Sequence, residues 1–235
     1  MAWGQGARMG IAIWGLPAGK PVEKSLANKG LIDYIGSHDG RWPEWNRGGV
    51  AMFSWQLDDE LALLFLQPDM ASELFRLCQR NRDYLSQWLP WVPHIQQPAD
   101  SATFIRHAIE KFARGEGLTT AIEYQGEVVG VIGYNQIDQD LGKVTIGYWL
   151  AERWQGHGII TRACQALIHH AFEEMGMEKV EISAALENEA SRAVCERLGM
   201  TQEGITRRAE RLADRVVDHV HYGLLRDEWL RLRDL

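Results

Sequence analysis

Residues 148–161 carry the spacing with the most chemical content in the chain. An apolar run ends in Trp149-Leu150, Arg153 follows, then Gln155-Gly156-His157-Gly158-Ile159, and an apolar helical stretch begins. Two glycines two apart let the backbone approach a ligand, and the free amides of a helix start favour an anion. A pyrophosphate is the natural guest. A tight strand-to-helix turn that simply needs glycine has the same spacing, so the loop by itself leaves both readings open. Other phosphate loops are missing from the sequence. There is no GxGxxG, since the third glycine is lacking, Gly19-Lys20 runs into Pro21, and Gly142-Lys143 runs into Val144. Neither HExxH nor a GxSxG elbow occurs.

Single residues give weaker signals. His219 and His221 share one face of a strand, as a metal pair would, but no third ligand is evident and they read as ordinary strand histidines. No metal is expected. His169 and His170 point to different sides of a helix. Glu210, beside Arg208 and Arg211, reads on its own as a surface carboxylate paired with one of them. Ser191, three residues after Asn188, reads as serving the free amides of a helix start. Cys78, Cys164 and Cys195 are odd in number and show no CxxC spacing. That argues against a disulfide framework or zinc cluster and fits a reducing cytosol, so we expect a cytoplasmic protein.

The elements that must position these residues follow from periodicity. Residues 60–66 read as a buried strand, and Pro68 opens a helix carrying Met70, Leu74, Phe75 and Leu77. A helical piece with Tyr84, Leu85, Trp88 and Leu89 stops at Pro90. Pro98 starts another helix, with Phe104, Ile105, Ala108, Ile109 and Phe112 on one face. Three strands follow at 118–124, 128–137 and 143–150, the first two joined by a Gln125-Gly126 turn. A long helix runs from Gly158 to Glu174 and stops at Gly176. Residues 180–185 alternate as a strand, Asn188 caps the next helix and Gly199 ends it. Residues 201–211 and 215–225 form a closing hairpin.

A seam lies near residue 52. The first 51 residues hold 10 of the 23 glycines and 4 of the 10 tryptophans, with no sustained periodicity. Their charge is +2, against −9 for residues 52–235. We expect a glycine- and tryptophan-rich extension over 1–51, poorly ordered, and one mixed α/β domain over 52–235. The whole chain is 46% hydrophobic and 24% charged, an ordinary globular composition. No apolar run approaches the ~20 residues of a membrane helix, and a net charge of −7 argues against direct nucleic acid binding.

Larger patterns surround the glycine loop. Arg153-x-x-Gly156-x-Gly158 resembles the acetyl-CoA signature of the GNAT N-acetyltransferases, and residues 187–200 resemble the second half of that fold. More narrowly, Ile146-Gly147-Tyr148-Trp149-Leu150, residues 155–161 and residues 204–210 are similar to the Rim-type ribosomal-protein N-terminal acetyltransferases. The resemblance spans about residues 53–230. It implies an α/β (α+β) GNAT acyl-CoA N-acyltransferase fold, whose central, mostly antiparallel sheet splays between two strands and is flanked by helices. Acetyl-CoA would lie in the splay, held by Trp149, Leu150, Arg153, Gln155, Gly156, His157, Gly158, Ile159 and Asn188, with Arg162 adding charge. Glu210 matches the family's general base, and Ser191 matches the residue that serves the departing thiolate. One departure stands out: an acidic residue often found two positions before Gly147 is here Thr145.

Amine acetylation needs a neutral amine, a stabilised oxyanion and a proton for the thiolate. An α-amino group with a pKa near ~8 asks little of its base. The resemblance therefore points to transfer of an acetyl group to the α-amino group of a protein, a ribosomal one by likeness to the Rim-type family. Small amines and a non-catalytic acyl-CoA-binding module are the alternatives. Trp88, Trp91 and Asn135 are the expected acceptor contacts, with Trp88 and Trp91 equally suited to core or dimer packing. A homodimer is plausible from the Rim-type relatives.

Overall fold

Strand β2 (Leu61–Phe65) shows how the domain is layered. Leu61 and Leu63 point into one hydrophobic cluster and Ala62 and Leu64 into another, so both faces of the strand are covered. The computed structural model describes residues 54–233. The expected poorly ordered extension over 1–51 lies outside them.

Eight strands form one sheet. Besides β2 they are β1 (Ser54–Gln56), β3 (Leu118–Tyr124), β4 (Glu127–Asp138), β5 (Lys143–Leu150), β6 (Lys179–Ala185), β7 (Thr201–Arg211) and β8 (Val216–Leu225). Their order is β1-β2-β3-β4-β5-β6-β8-β7. Every pair is antiparallel except β5 and β6. On one face pack helices α1 (Ala71–Arg80) and α3 (Pro98–Ala113), with short α2 (Arg82–Leu85) between them. On the other lie α4 (Ile159–His169) and α5 (Glu189–Arg197), and α6 (Arg226–Arg233) follows β8.

Most elements fall where periodicity places them, with local differences. The Pro68 helix begins as a 3-10 turn, Pro68–Met70, before α1. The piece bearing Trp88 is helical only through Leu85, and Trp88 follows in a turn. The long helix after Gly158 is α-helical to His169 and widens to a π-turn at His170–Glu174. There the Tyr134 hydroxyl donates to the Leu167 carbonyl at 2.6 Å, and a side chain entering the ladder is a common cause of such widening. The three-residue edge strand β1 carries too short a pattern to be read from sequence.

One feature of the sheet makes room for a ligand. Strands β5 and β6 pair only from Lys143 to Ile146 against Lys179 to Ile182. Beyond Ile146 they diverge, leaving residues 147–150 bonded to β4 alone and residues 183–185 to β8 alone. The parallel pair requires a crossover, and α4 supplies it, so a helix N-terminus lies at the split.

Candidate active site

The split opens into a cleft of about 620 Å³. Trp149, Leu150, Gln155, Gly156, Gly158, Ile159 and Asn188 all line it. Gly156 and Gly158 have φ of +78° and +70°, a conformation that costs L side chains ~1–2 kcal/mol. Gly158 is also the N-cap of α4, where no side chain caps the first amides. An acyl-CoA fits this arrangement on two counts: strand backbone beside the cleft that is unpaired among the described residues, and free amides at a helix start.

The expected cationic contacts are placed differently. Arg153 does not line the cleft; its guanidinium pairs with Glu127 and lies 4.9 Å from the Trp154 ring centre. His157 also lies outside the lining, with Nδ1 at 2.9 Å from the Gln155 carbonyl oxygen. Arg162 donates to Asp58 at 2.7 Å, with Glu60 at 3.9 Å. Among the described residues the cation that lines the cleft is Arg197, in the last turn of α5, which sequence reasoning passed over. Nothing local distinguishes it from any other exposed helix arginine.

Asn188 caps α5 by accepting from the Ser191 amide at 3.1 Å, as its position suggested. That leaves the Ser191 hydroxyl for other work. It lies 2.7 Å from the hydroxyl of Tyr148, a residue of β5 that also lines the cleft. Desolvation pushes the Tyr148 phenol well above its ordinary range, so it stays a neutral donor. The tyrosine was visible in the motif, but its hydroxyl contact is 43 residues away in sequence.

The closing hairpin brings in the carboxylate. Glu210 does not sit at the surface with Arg208 or Arg211. It lines the cleft, its side chain 10% exposed, and its Oε2 is 3.3 Å from Nε2 of buried His219. Thr145 lines the cleft as well, a side chain that cannot serve as base in place of a carboxylate. The possible metal pair resolves into separate contacts: His219 meets Glu210, while His221 lies between Ser183 Oγ (2.9 Å) and Thr206 Oγ1 (2.8 Å). Among the described residues no three His, Cys, Asp or Glu side chains converge.

At the acceptor end, Trp88 packs on Ala185, Leu212 and Val217 and faces the cleft, with Arg215 5.4 Å from its ring centre. Asn135 also faces the cleft, close enough to β5 that a Cβ at Gly147 would overlap its amide. Trp91 stands behind Trp149, ring centres 6.2 Å apart, and opens only into a small adjoining void. No thiol competes as nucleophile: burial pushes Cys78 and Cys195 up to about 12 and raises Cys164 well above its ordinary value.

A sheet parted beside a glycine-turned helix start suits a long thioester carrier with amide groups along its arm, the requirement of an acyl-CoA-dependent acyltransferase. The chain belongs to the GNAT acetyltransferase family, whose domain matches residues 60–201. It is similar to YdaF of Bacillus subtilis (strain 168), 35% identical over 182 residues, 76% of this chain and 98% of that protein. It is likewise 31% identical over 172 residues to the ribosomal-protein-serine acetyltransferase of Escherichia coli (strain K12), covering 73% of this chain and 96% of the relative. Among solved structures, RimL in complex with coenzyme A superimposes with a TM-score of 0.72 at 28% identity, over 75% of this chain and 99% of the other. The protein is an acetyl-CoA-dependent N-acetyltransferase. Among the described residues no helix is long and apolar enough to cross a membrane.

Proposed function

We propose that the acceptor is the α-amino group of a protein, a ribosomal protein foremost, with Glu210 as base and Ser191 as the partner of the leaving sulfur. The observation that carries the chemistry is the inward Glu210 carboxylate, set in the same cleft as the Ser191 hydroxyl. The acceptor class rests on the Escherichia coli relative, matched over nearly its whole length.

In this reading the phosphates of acetyl-CoA meet the amides of residues 155–159, and the pantetheine arm pairs with the free edge of Trp149 and Leu150. An amide hydrogen of that edge polarises the acetyl carbonyl. The amine enters from the side of Trp88 and Asn135 and loses a proton through water to Glu210. Its nitrogen bonds to the acetyl carbon, the carbon–sulfur bond breaks, and the electron pair leaves on sulfur. The Tyr148 hydroxyl, 2.7 Å from Ser191 Oγ, holds the serine hydroxyl in place to serve that sulfur. The task of the base is modest, because at pH 7 an α-amino group lies only about one unit below its pKa of ~8, worth ~1.4 kcal/mol.

Release of thiol from acetyl-CoA, measured with peptides bearing free or blocked N-termini and with small amines, tests the assignment. Turnover is expected on free N-termini alone. Turnover on polyamines or amino acids with none on peptides would overturn the protein acceptor.

A further inference from the structure

The geometry points to His219 as a positioning residue that holds the Glu210 carboxylate in its working orientation. This rests on the reading of Glu210 as base.

The carboxylate owes its place to an irregularity in the closing hairpin. Between the pairs Thr206–His219 and Glu210–Val217, β7 advances four residues while β8 advances two. The two extra residues form a bulge in which Arg208 takes a φ of +52°. Two neighbours on β8 grip this bulge. Asp218 accepts from the Arg208 amide at 2.6 Å, holding the backbone. His219, pointing to the opposite face of the strand, meets the Glu210 side chain at 3.3 Å. Glu210 pairs directly with Val217, so its side chain shares a face with Val217 and His219, the face that closes the cleft.

In this role His219 is the Nε2–H tautomer, with that proton toward the Glu210 oxygen 3.3 Å away. Among the described residues the buried Nδ1 has no hydrogen-bond partner, and a buried N–H with no acceptor costs more than a bare lone pair. An imidazole N–H so placed holds a carboxylate in one orientation. The second oxygen of Glu210, Oε1, has no hydrogen-bond partner among the described residues and is left for the proton of the amine.

The test is a double-mutant cycle on the full chain, read in kcat and in acetyl-CoA affinity. His219→Met keeps the side-chain length and removes the donor; it should lower kcat by about 10-fold or more, the scale on which misplaced bases act. His219→Gln returns an N–H donor near the Nε2 position and should recover most of that loss. Acetyl-CoA affinity should stay within about 2-fold in both. In a Glu210→Gln background, His219→Met should cost less than about 2-fold further, because the two residues act as one unit. Independent, multiplying losses in the double variant would overturn the role of His219 while leaving Glu210 as base. Wild-type turnover of Glu210→Gln would overturn both. Nitrogen NMR of the unaltered protein gives a check free of folding effects: the His219 ring should show Nε2–H with bare Nδ1 at pH 7. An Nδ1–H tautomer there would overturn the assignment.

Discussion

The hydroxyls of Tyr148 and Ser191 lie 2.7 Å apart and join the free end of β5 to the first turn of α5 across the cleft. Burial keeps Tyr148 protonated, so the pair is two neutral hydroxyls that hold each other in place at the cleft. Ser191→Ala should lower kcat and keep that loss at high pH, because the leaving sulfur lacks its hydrogen bond whatever the state of the amine. Tyr148→Phe should cost about 3- to 10-fold, as befits one lost hydrogen bond, and should add little to Ser191→Ala. Steady-state kinetics of the three variants would show this; a Tyr148→Phe enzyme with unchanged kcat would detach the tyrosine from the serine's role.

Replacing Glu210 by Gln should lower kcat by about 100-fold, a usual size for general-base effects. The deficit should shrink above pH ~8, where the amine is neutral without help. Acetyl-CoA affinity should hardly move. A pH–rate profile on one verified peptide decides the matter, and a pH-independent deficit would speak against proton removal.

Gly158→Val isolates the loop at the helix start. A Cβ at this position meets open space, so the cost comes from the φ of +70° rather than from a clash. Forcing a β-branched residue into that region turns the amides of the loop away from the phosphates. Calorimetry should show acetyl-CoA binding weakened by about 10-fold or more with the fold kept. Normal affinity would refute the phosphate-loop assignment.

Stability should fall in mild acid through His170 and His221. Burial, outweighing nearby Glu174, holds the His170 imidazole below its ordinary value, and burial with the neighbouring His219 does the same for His221. A lowered folded-state pKa means that the unfolded chain binds the proton more readily. The contribution is therefore whole above the unfolded value of ~6.5 and is lost as pH falls through the folded values. Thermal midpoints recorded from pH 7.5 to 5 should decline, and His170→Gln should flatten the slope; an unchanged slope in that variant would exclude His170 as a source.

We propose that residues 1–51 are dispensable for catalysis. YdaF is covered over 98% of its length by 76% of this chain, and the family match starts at residue 60. A chain starting at Met52 should bind acetyl-CoA and turn over normally. Loss of cooperative unfolding in that shortened protein would make the segment part of the domain.

Several features were legible because they are local. The strands β2 to β4, the Asn188 cap and the need for glycine at 156 and 158 are written in residues a few positions apart. The Arg153-x-x-Gly156-x-Gly158 loop, taken with residues 146–150, 187–200 and 204–210, sufficed to name the family and the fold.

The working site depended on contacts between distant segments. Arg153, His157 and Arg162 carry suitable charge and spacing for phosphates, yet Glu127 and Asp58, far off in sequence, engage the two arginines. Glu210 lies among arginines that suggest a surface pair, and a strand pattern gives no reason to turn it inward. That turn arises where β7 and β8 fall out of register, a property of the pairing between two strands rather than of either one. The register is fixed only when Val217, Leu212 and Ala185 bury together against Trp88, and the same closure brings His219 to the carboxylate. Local sequence determined the elements and the anion loop; tertiary packing decided which charges stay free and where the base points, because both depend on neighbours that only the folded chain brings together.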